Sequence, residues 1–75
     1  MERLTREELS WLIDAANLDE TNKCILRMYY IDGRYLSYIS EAVGYSPSQV
    51  YRRHRLSVAR ITRLIASGAL ERRRT

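Results

Sequence analysis

Residues 48–53 carry four polar side chains whose hydrogen-bonding groups suit the edges of nucleic-acid bases. A glutamine forms two parallel hydrogen bonds with adenine and an arginine does so with guanine, each pair worth about 1–3 kcal/mol of discrimination. Helical spacing places Arg52 opposite the apolar face of its segment, whereas Gln49 could instead cap the helix start without touching a ligand. The candidates for contacts to DNA bases are Ser48, Gln49, Arg52 and Arg53.

Positive charge is concentrated in the same part of the chain. Residues 1–50 carry five basic and eight acidic side chains, a net charge of −3, whereas residues 51–75 carry eight arginines and one glutamate, a net charge of +7. Twelve of the 13 basic residues are arginine, whose planar fork matches phosphates and guanine better than lysine does. This asymmetry is typical of a surface that binds nucleic acid. The alternative is a solvated basic helix that keeps the protein in solution.

Further residues could contact the phosphates of a bound duplex, which give affinity and register but no sequence information. For Tyr35 and Ser37 the alternative is an ordinary surface position, and for Tyr51 we expect a ring packed in the core, with its hydroxyl offered to a phosphate. The predicted contacts to the DNA backbone are Tyr35, Ser37, Ser46, Tyr51, Arg55, Arg60 and Arg63.

A tight turn within residues 39–50 positions these side chains. Ile39 and Val43 are four residues apart and share one helix face, and Gly44 follows where a helix commonly ends in a left-handed residue. A second helix start comes next, with a capping serine, a proline at the first helical position and a glutamine that closes a capping box, at Ser46, Pro47 and Gln49. Two helices joined so closely across a glycine, the second rich in arginine, predict a helix-turn-helix.

The helix that follows the turn is predicted over residues 47–67, with Gly68 as its stop. At about 100° per residue it separates a packing face from an exposed face. The predicted packing face consists of Val50, His54, Ser57, Val58, Ile61, Leu64 and Ile65. The predicted exposed face consists of Ser48, Arg52, Arg55, Ala59 and Arg63.

Three shorter helices are predicted before it, so the expected fold is all-α, a small four-helix domain that contains the helix-turn-helix. These helices begin at Thr5, at Asp19 and at about Leu36. The second is expected to end around Ile31, before an Asp-Gly turn signal. Residues 1–68 are predicted to form this single domain and residues 69–75 a disordered basic tail.

A longer pattern extends over residues 19–65. It consists of Ile25-Leu26-Arg27-Met28-Tyr29-Tyr30-Ile31-Asp32-Gly33, then Leu36, Ile39, Glu41, Val43-Gly44-Tyr45-Ser46 and Val50. The pattern closely resembles region four of bacterial sigma factors, in which the second helix of the helix-turn-helix enters the major groove of the −35 promoter element. The resemblance implies a sequence-specific DNA-binding transcription regulator that uses residues 47–67 as its recognition helix. It also implies double-stranded DNA as the ligand and RNA polymerase as a candidate partner.

Three features depart from that family. The 75 residues contain no region two, which a free-standing sigma factor needs to melt a promoter. Tyr38 stands at a position that is usually polar or acidic in the family, and His54 at one that is usually aliphatic. We therefore expect a small regulator of the phage or mobile-element type.

The first helix has apolar residues on two faces, one of them formed by Leu9, Leu12, Ile13 and Ala16. Such a helix is either enclosed within its own fold or covered by a partner. We expect a partner, either RNA polymerase or a second copy of the chain. In a symmetric dimer the two recognition helices would lie about 34 Å apart. This surface also supports the alternative function, a protein-interaction module that inhibits or redirects RNA polymerase or another protein. The predicted partner interface consists of Trp11, Ala15 and Leu18.

Other classes of function lack support in the sequence. No paired carboxylates, nucleophile with an orienting base, metal-ligand spacing or phosphate loop can be identified, so we expect no enzyme, cofactor or metal site. Cys24 has no second cysteine and His54 no second histidine, and both are interpreted as packed residues. No signal peptide and no apolar run of about 18 residues is present, which favours the cytoplasm over a membrane.

Overall fold

The computed structural model describes residues 4–74, and every regular element in that range is helical. The prediction of a small all-α fold is confirmed, with one α-helix more than expected. The helices are α1 Arg6–Ala15, α2 Glu20–Leu26, α3 Leu36–Val43, α4 Pro47–Ala66 and α5 Ala69–Arg74, and α2 continues directly into a π-helical segment, Arg27–Ile31. Within residues 4–74, no helix combines the length and the apolar character needed to cross a lipid bilayer.

Local side-chain contacts begin the first two helices as the sequence predicts. The Thr5 hydroxyl accepts a hydrogen bond from the Glu8 backbone N–H at 3.0 Å, and the Glu8 carboxylate accepts one from the Thr5 N–H at 3.1 Å. The Asp19 carboxylate accepts a hydrogen bond from the Asn22 N–H at 2.8 Å. Between the two helices, Asn17 is left-handed with a φ of 56°, at the position after a helix end where glycine and asparagine are favoured.

The last turn of the second predicted helix reaches its expected end but is π-helical. The Asp32 backbone N–H donates to the Arg27 carbonyl, five residues earlier, at 3.0 Å. The Arg27 side chain also reaches back to α1, where its guanidinium donates to the Ser10 hydroxyl at 2.8 Å and to the Asp14 carboxylate at 2.6 Å. The π-helical segment is therefore attached to α1 through a charged contact as well as through apolar packing.

Two apolar clusters hold the helices together, and α4 takes part in both. Because α4 contributes Ile61 to the larger cluster and Val50 to the smaller one, its packing face is fixed along most of its length. The larger cluster consists of Leu12, Ile13, Leu18, Leu26, Ile61 and Leu70, and the smaller cluster of Ile25, Ile39 and Val50.

Residues 69–74 form α5, which corrects the prediction of a disordered tail for this segment. Gly68 ends α4 in the left-handed conformation, with a φ of 85°, as the sequence predicts. Two residues later, Leu70 is 1% exposed within the larger cluster. Burial of a leucine favours order in a segment whose charge alone suggests disorder. The last residue of the predicted tail, Thr75, lies outside the described residues.

Candidate nucleic-acid interface

The turn between α3 and α4 has the local geometry that the sequence predicts. Gly44 is left-handed with a φ of 79°, and its N–H donates to the Ser40 carbonyl at 3.0 Å. At the start of α4, the Ser46 hydroxyl accepts a hydrogen bond from the Gln49 N–H at 3.3 Å, and Pro47 occupies the first helical position. Proline stabilises this position because its φ is already helical and its missing N–H has no helical partner there. These contacts fix the start of α4, with three residues between the end of α3 and the first residue of α4.

The outer face of α4 lies opposite its buried residues and consists of Ser48, Arg52, Arg55, Leu56, Ala59 and Arg63. All six are exposed, and the five other than Leu56 are the exposed face that helical spacing predicts. The Arg52 side chain makes no hydrogen bond or ion pair with any residue in the described range 4–74. A guanidinium carries five N–H donors in a fixed fork, so this side chain can bind a planar acceptor pair without first breaking an internal contact.

Leu56 is the residue of the outer face to which the sequence analysis assigned no role. Its side chain is 63% exposed and borders the same shallow depression as Arg52, Arg55 and Ala59. The signal was available in the sequence, because Leu56 falls outside the packing face and follows Arg52 by one helical turn.

Gln49 has the capping role that the sequence left open as an alternative. Its side-chain oxygen accepts a hydrogen bond from the Ser46 backbone N–H at 3.1 Å, which completes the capping box. Its amide nitrogen forms no hydrogen bond with another described residue, and the side chain is exposed. The Ser46 hydroxyl, a predicted phosphate contact, is engaged in the same box and lies 3.3 Å from the Ser48 hydroxyl.

Arg53, a predicted base contact, is held against the fold. One of its N–H groups donates to the Asn22 side-chain oxygen at 3.2 Å and lies 3.6 Å from the Asp19 carboxylate, both at the start of α2. The guanidinium also stacks over the Tyr45 ring, 4.6 Å from its centroid. Arg53 thus links α4 to α2 and to the turn, because it sits about 100° around the helix from Arg52.

Several predicted backbone contacts are well exposed at the start of α3 and along α4. Tyr35 is 82% exposed, and Ser37 is exposed while its carbonyl accepts a hydrogen bond from the Ser40 hydroxyl at 2.9 Å. Tyr51 is 53% exposed, so the expectation of a ring packed in the core is wrong. The Arg55 guanidinium lies 6.0 Å from the centroid of the Tyr51 ring.

The two remaining predicted backbone contacts on α4, Arg60 and Arg63, differ in how they are held. An Arg60 N–H donates to the Asn17 carbonyl at 3.3 Å, so this side chain points toward the connection between α1 and α2. The Arg63 side chain is exposed and forms no hydrogen bond or ion pair within residues 4–74. Both arginines border the groove between α4 and that connection.

The predicted partner interface is partly enclosed within the protein itself. Leu18 is 9% exposed and belongs to the larger apolar cluster, and Trp11 is half-buried against it. The Arg73 guanidinium of α5 lies over the Trp11 ring, 5.4 Å from its centroid, and also pairs with Glu7 at 3.0 Å. Arg73 of α5 therefore lies over one face of Trp11, and the larger cluster buries Leu18, so the prediction of an external partner loses support at these two places. Ala15 is exposed.

His54 forms a polar aromatic cluster with the π-helical segment. Its Nε2 lies 3.0 Å from the Tyr30 hydroxyl, and the two rings stack with centroids 5.5 Å apart. Tyr29 meets the His54 ring edge-on at 4.9 Å. Burial lowers the pKa of His54, while burial and then the neighbouring Tyr29 raise the pKa of Tyr30. The cluster thus favours a neutral imidazole, consistent with the interpretation of His54 as a packed residue.

Comparison with known proteins finds no match for the chain among models of protein families, curated proteins or solved structures. The resemblance to region four of sigma factors therefore depends on the sequence pattern over residues 19–65. The choice among functions depends on the side chains that the fold leaves exposed, chiefly those of the outer face of α4.

Proposed function

We propose that this chain is a sequence-specific DNA-binding transcription regulator with α4 as its recognition helix. The observation that carries the proposal is Arg52, an exposed guanidinium with no partner in the described range, on the second turn of the helix that follows a tight turn. In helix-turn-helix proteins, residues near the start of the second helix contact base edges in the major groove. Arg52 suits a guanine there, because the guanidinium fork matches the two acceptors of that base.

The two other proposed base contacts near Arg52 differ in the hydrogen-bonding groups that they have available. Ser48, one turn earlier on the outer face, offers a hydroxyl that donates to or accepts from either base of a pair. Because the side-chain oxygen of Gln49 is engaged in the capping box, this residue offers only its amide N–H groups. It therefore suits an acceptor such as a purine N7 and not the paired hydrogen bonds that a free glutamine makes with adenine.

The surrounding exposed residues supply the proposed phosphate contacts. Arg55 and Tyr51 extend from one side of α4, and Tyr35 and Ser37 lie at the start of α3. The net charge of +7 in residues 51–75 gives this region the electrostatic attraction that such contacts need. Phosphate contacts release counterions, so we expect affinity to fall steeply with salt.

The resemblance of residues 19–65 to region four supports RNA polymerase as the proposed partner at a promoter. It also supports the cytoplasm as the proposed compartment. The alternative function, a protein-interaction module, was predicted to use Trp11, Ala15 and Leu18. That alternative and a dimer through the same residues both lose support, because the larger cluster buries Leu18 and Arg73 lies over the Trp11 ring, while Ala15 alone is exposed.

The test is selection of binding sites from a random duplex pool, followed by affinity measurements at two salt concentrations. We expect an enriched motif that contains a guanine. Arg52→Ala should weaken binding to that motif by roughly 5- to 150-fold and relax the preference at one base pair. Arg55→Ala should instead weaken all duplexes alike and reduce the logarithmic salt slope by about 0.9.

Arg6→Ala is the matched control, since it removes an exposed arginine from the first position of α1, far along the chain from α4. It should leave the preference for the motif unchanged. The proposal is wrong if the pool yields no enriched sequence, or if random duplex competes as well as the selected site. In that case a pull-down with RNA polymerase tests the protein-interaction alternative.

A further inference from the structure

An exposed leucine stands in the middle of the arginine-rich outer face of α4. Leu56 is 63% exposed, whereas Val50 and Ile61, on the opposite side of α4, are buried in the two clusters. Single apolar residues are common on protein surfaces and carry no meaning by themselves. Leu56 differs because it shares a shallow depression with Ser48, Tyr51, Arg52, Arg55 and Ala59.

The position of Leu56 relative to Arg52 follows from helix geometry. Ser48, Arg52 and Leu56 succeed one another at four-residue spacing, so they lie along one ridge of the outer face. Four residues advance about 6 Å along a helix, and base pairs are spaced by about 3.4 Å. If the ridge follows the major groove, Leu56 meets a base pair about two steps from the one that Arg52 contacts.

The chemistry of the major groove leaves one kind of ligand for this side chain. A leucine has no hydrogen-bonding group, and the apolar feature that base pairs present in the major groove is the 5-methyl group of thymine. Leucine placed against cytosine or adenine would strip water from an amino group and leave it unpaired. The arginines at positions 52 and 55 favour a polyanion over an apolar protein surface as the occupant of the depression.

We infer that Leu56 is a specificity-determining residue that contacts the methyl group of a thymine about two base pairs from the guanine that Arg52 binds. The inference depends on the proposed function, since it requires the outer face of α4 to lie in the major groove. Ala59, exposed at the edge of the same depression, leaves room for the methyl group because its own side chain is small.

The test replaces that thymine by deoxyuridine in the selected duplex, which removes the methyl group and keeps the base pairing. We expect the native chain to bind the substituted duplex about fourfold more weakly, the effect of one methyl group taken out of an apolar contact. Leu56→Ala should bind the thymine duplex and the deoxyuridine duplex with the same affinity, because the alanine methyl at this position is too short to reach the methyl group that leucine contacts. Deoxyuridine at a thymine outside the motif is the control and should change neither affinity.

The outcomes separate this inference from the proposed function. If no duplex is bound specifically and Arg52→Ala has no effect, both fail. If Arg52→Ala weakens specific binding while deoxyuridine has no effect, or has equal effects on the native chain and on Leu56→Ala, only the role of Leu56 is overturned. Loss of RNA polymerase binding in Leu56→Ala, with the thymine preference unchanged, would overturn it in favour of a protein contact. Because Leu56 is exposed, we expect Leu56→Ala to fold, and its helical circular dichroism checks this.

Discussion

Two surfaces of this protein were expected from the sequence to bind a partner, and they differ in how far the fold leaves them exposed. The outer face of α4 stays open, and the Arg52 side chain makes no hydrogen bond or ion pair in the described range. On the predicted partner surface of α1 and the residues after it, Arg73 of α5 lies over Trp11, and the larger cluster, which includes Leu70 of α5, buries Leu18. One candidate surface is thus available to a ligand, and the other serves stability.

The difference follows from the chemistry of the side chains. Apolar side chains left exposed on a helix are stabilised by contact with any apolar neighbour, including a short segment of the same chain. A guanidinium is stabilised by burial only when a hydrogen-bond acceptor lies close to it, because burying it unpaired is costly. An exposed arginine side chain without a hydrogen-bond partner is therefore better evidence for an external ligand than an exposed tryptophan. Another segment of the same chain can cover the tryptophan.

The largest effect that can test this comparison is expected from Leu70→Ala. The truncation leaves a cavity in the larger cluster and should lower the free energy of unfolding by about 2–5 kcal/mol. It should also loosen α5 from Trp11, the single tryptophan of the chain, and shift its fluorescence to longer wavelength. Denaturant unfolding followed by tryptophan fluorescence measures both quantities.

Glu71→Gln is the control for this experiment, since Glu71 lies in the same helix but is exposed. It should leave the fluorescence maximum unchanged and the stability close to that of the native chain. If Leu70→Ala matches the native chain in both stability and fluorescence, α5 does not cover α1. Trp11 would then return as a candidate surface for an external partner.

A smaller effect should distinguish the adjacent arginines of α4. Arg53→Ala removes a partly exposed ion pair with Asp19 and the stacking on Tyr45, which together contribute about 1 kcal/mol of stability. Arg52→Ala removes no side-chain hydrogen bond or ion pair within the described residues. It should therefore leave stability unchanged while weakening specific DNA binding. Thermal unfolding and duplex titration of both variants give the comparison. Equal losses of stability, or a larger loss of specificity in Arg53→Ala, would contradict the assigned roles.

The parts of the fold predicted correctly from the sequence depend on residues within about four positions of one another. The capping boxes at Thr5 and Ser46 and the left-handed Gly44 are of this kind, because their hydrogen bonds close within one helical turn. The exposed position of Arg52 also follows from local periodicity, given the buried residues on the opposite side of α4.

The parts that could not be predicted depend on residues far apart in the sequence. Arg53 is 31 residues from the Asn22 oxygen that it contacts, and Glu7 is 66 residues from Arg73. Helical spacing places Arg53 on the flank of α4 but does not say which helix lies beside that flank. The charge of residues 69–75 suggested disorder, and only the position of the larger cluster explains why Leu70 orders this segment.

The smallest effect we expect is a pH dependence of stability caused by His54, in the cluster that holds α4 to the π-helical segment. Burial lowers the pKa of His54 from its ordinary value of 6.5, so the unfolded chain binds a proton more readily than the folded chain. Stability from this group should be complete above pH 6.5 and decline as the pH falls toward the lowered pKa. Since His54 is the single histidine of the chain, thermal unfolding between about pH 5 and 8 isolates its contribution. His54→Gln should remove the decline over that range, and a decline of the same size in this variant would assign the pH dependence to other groups.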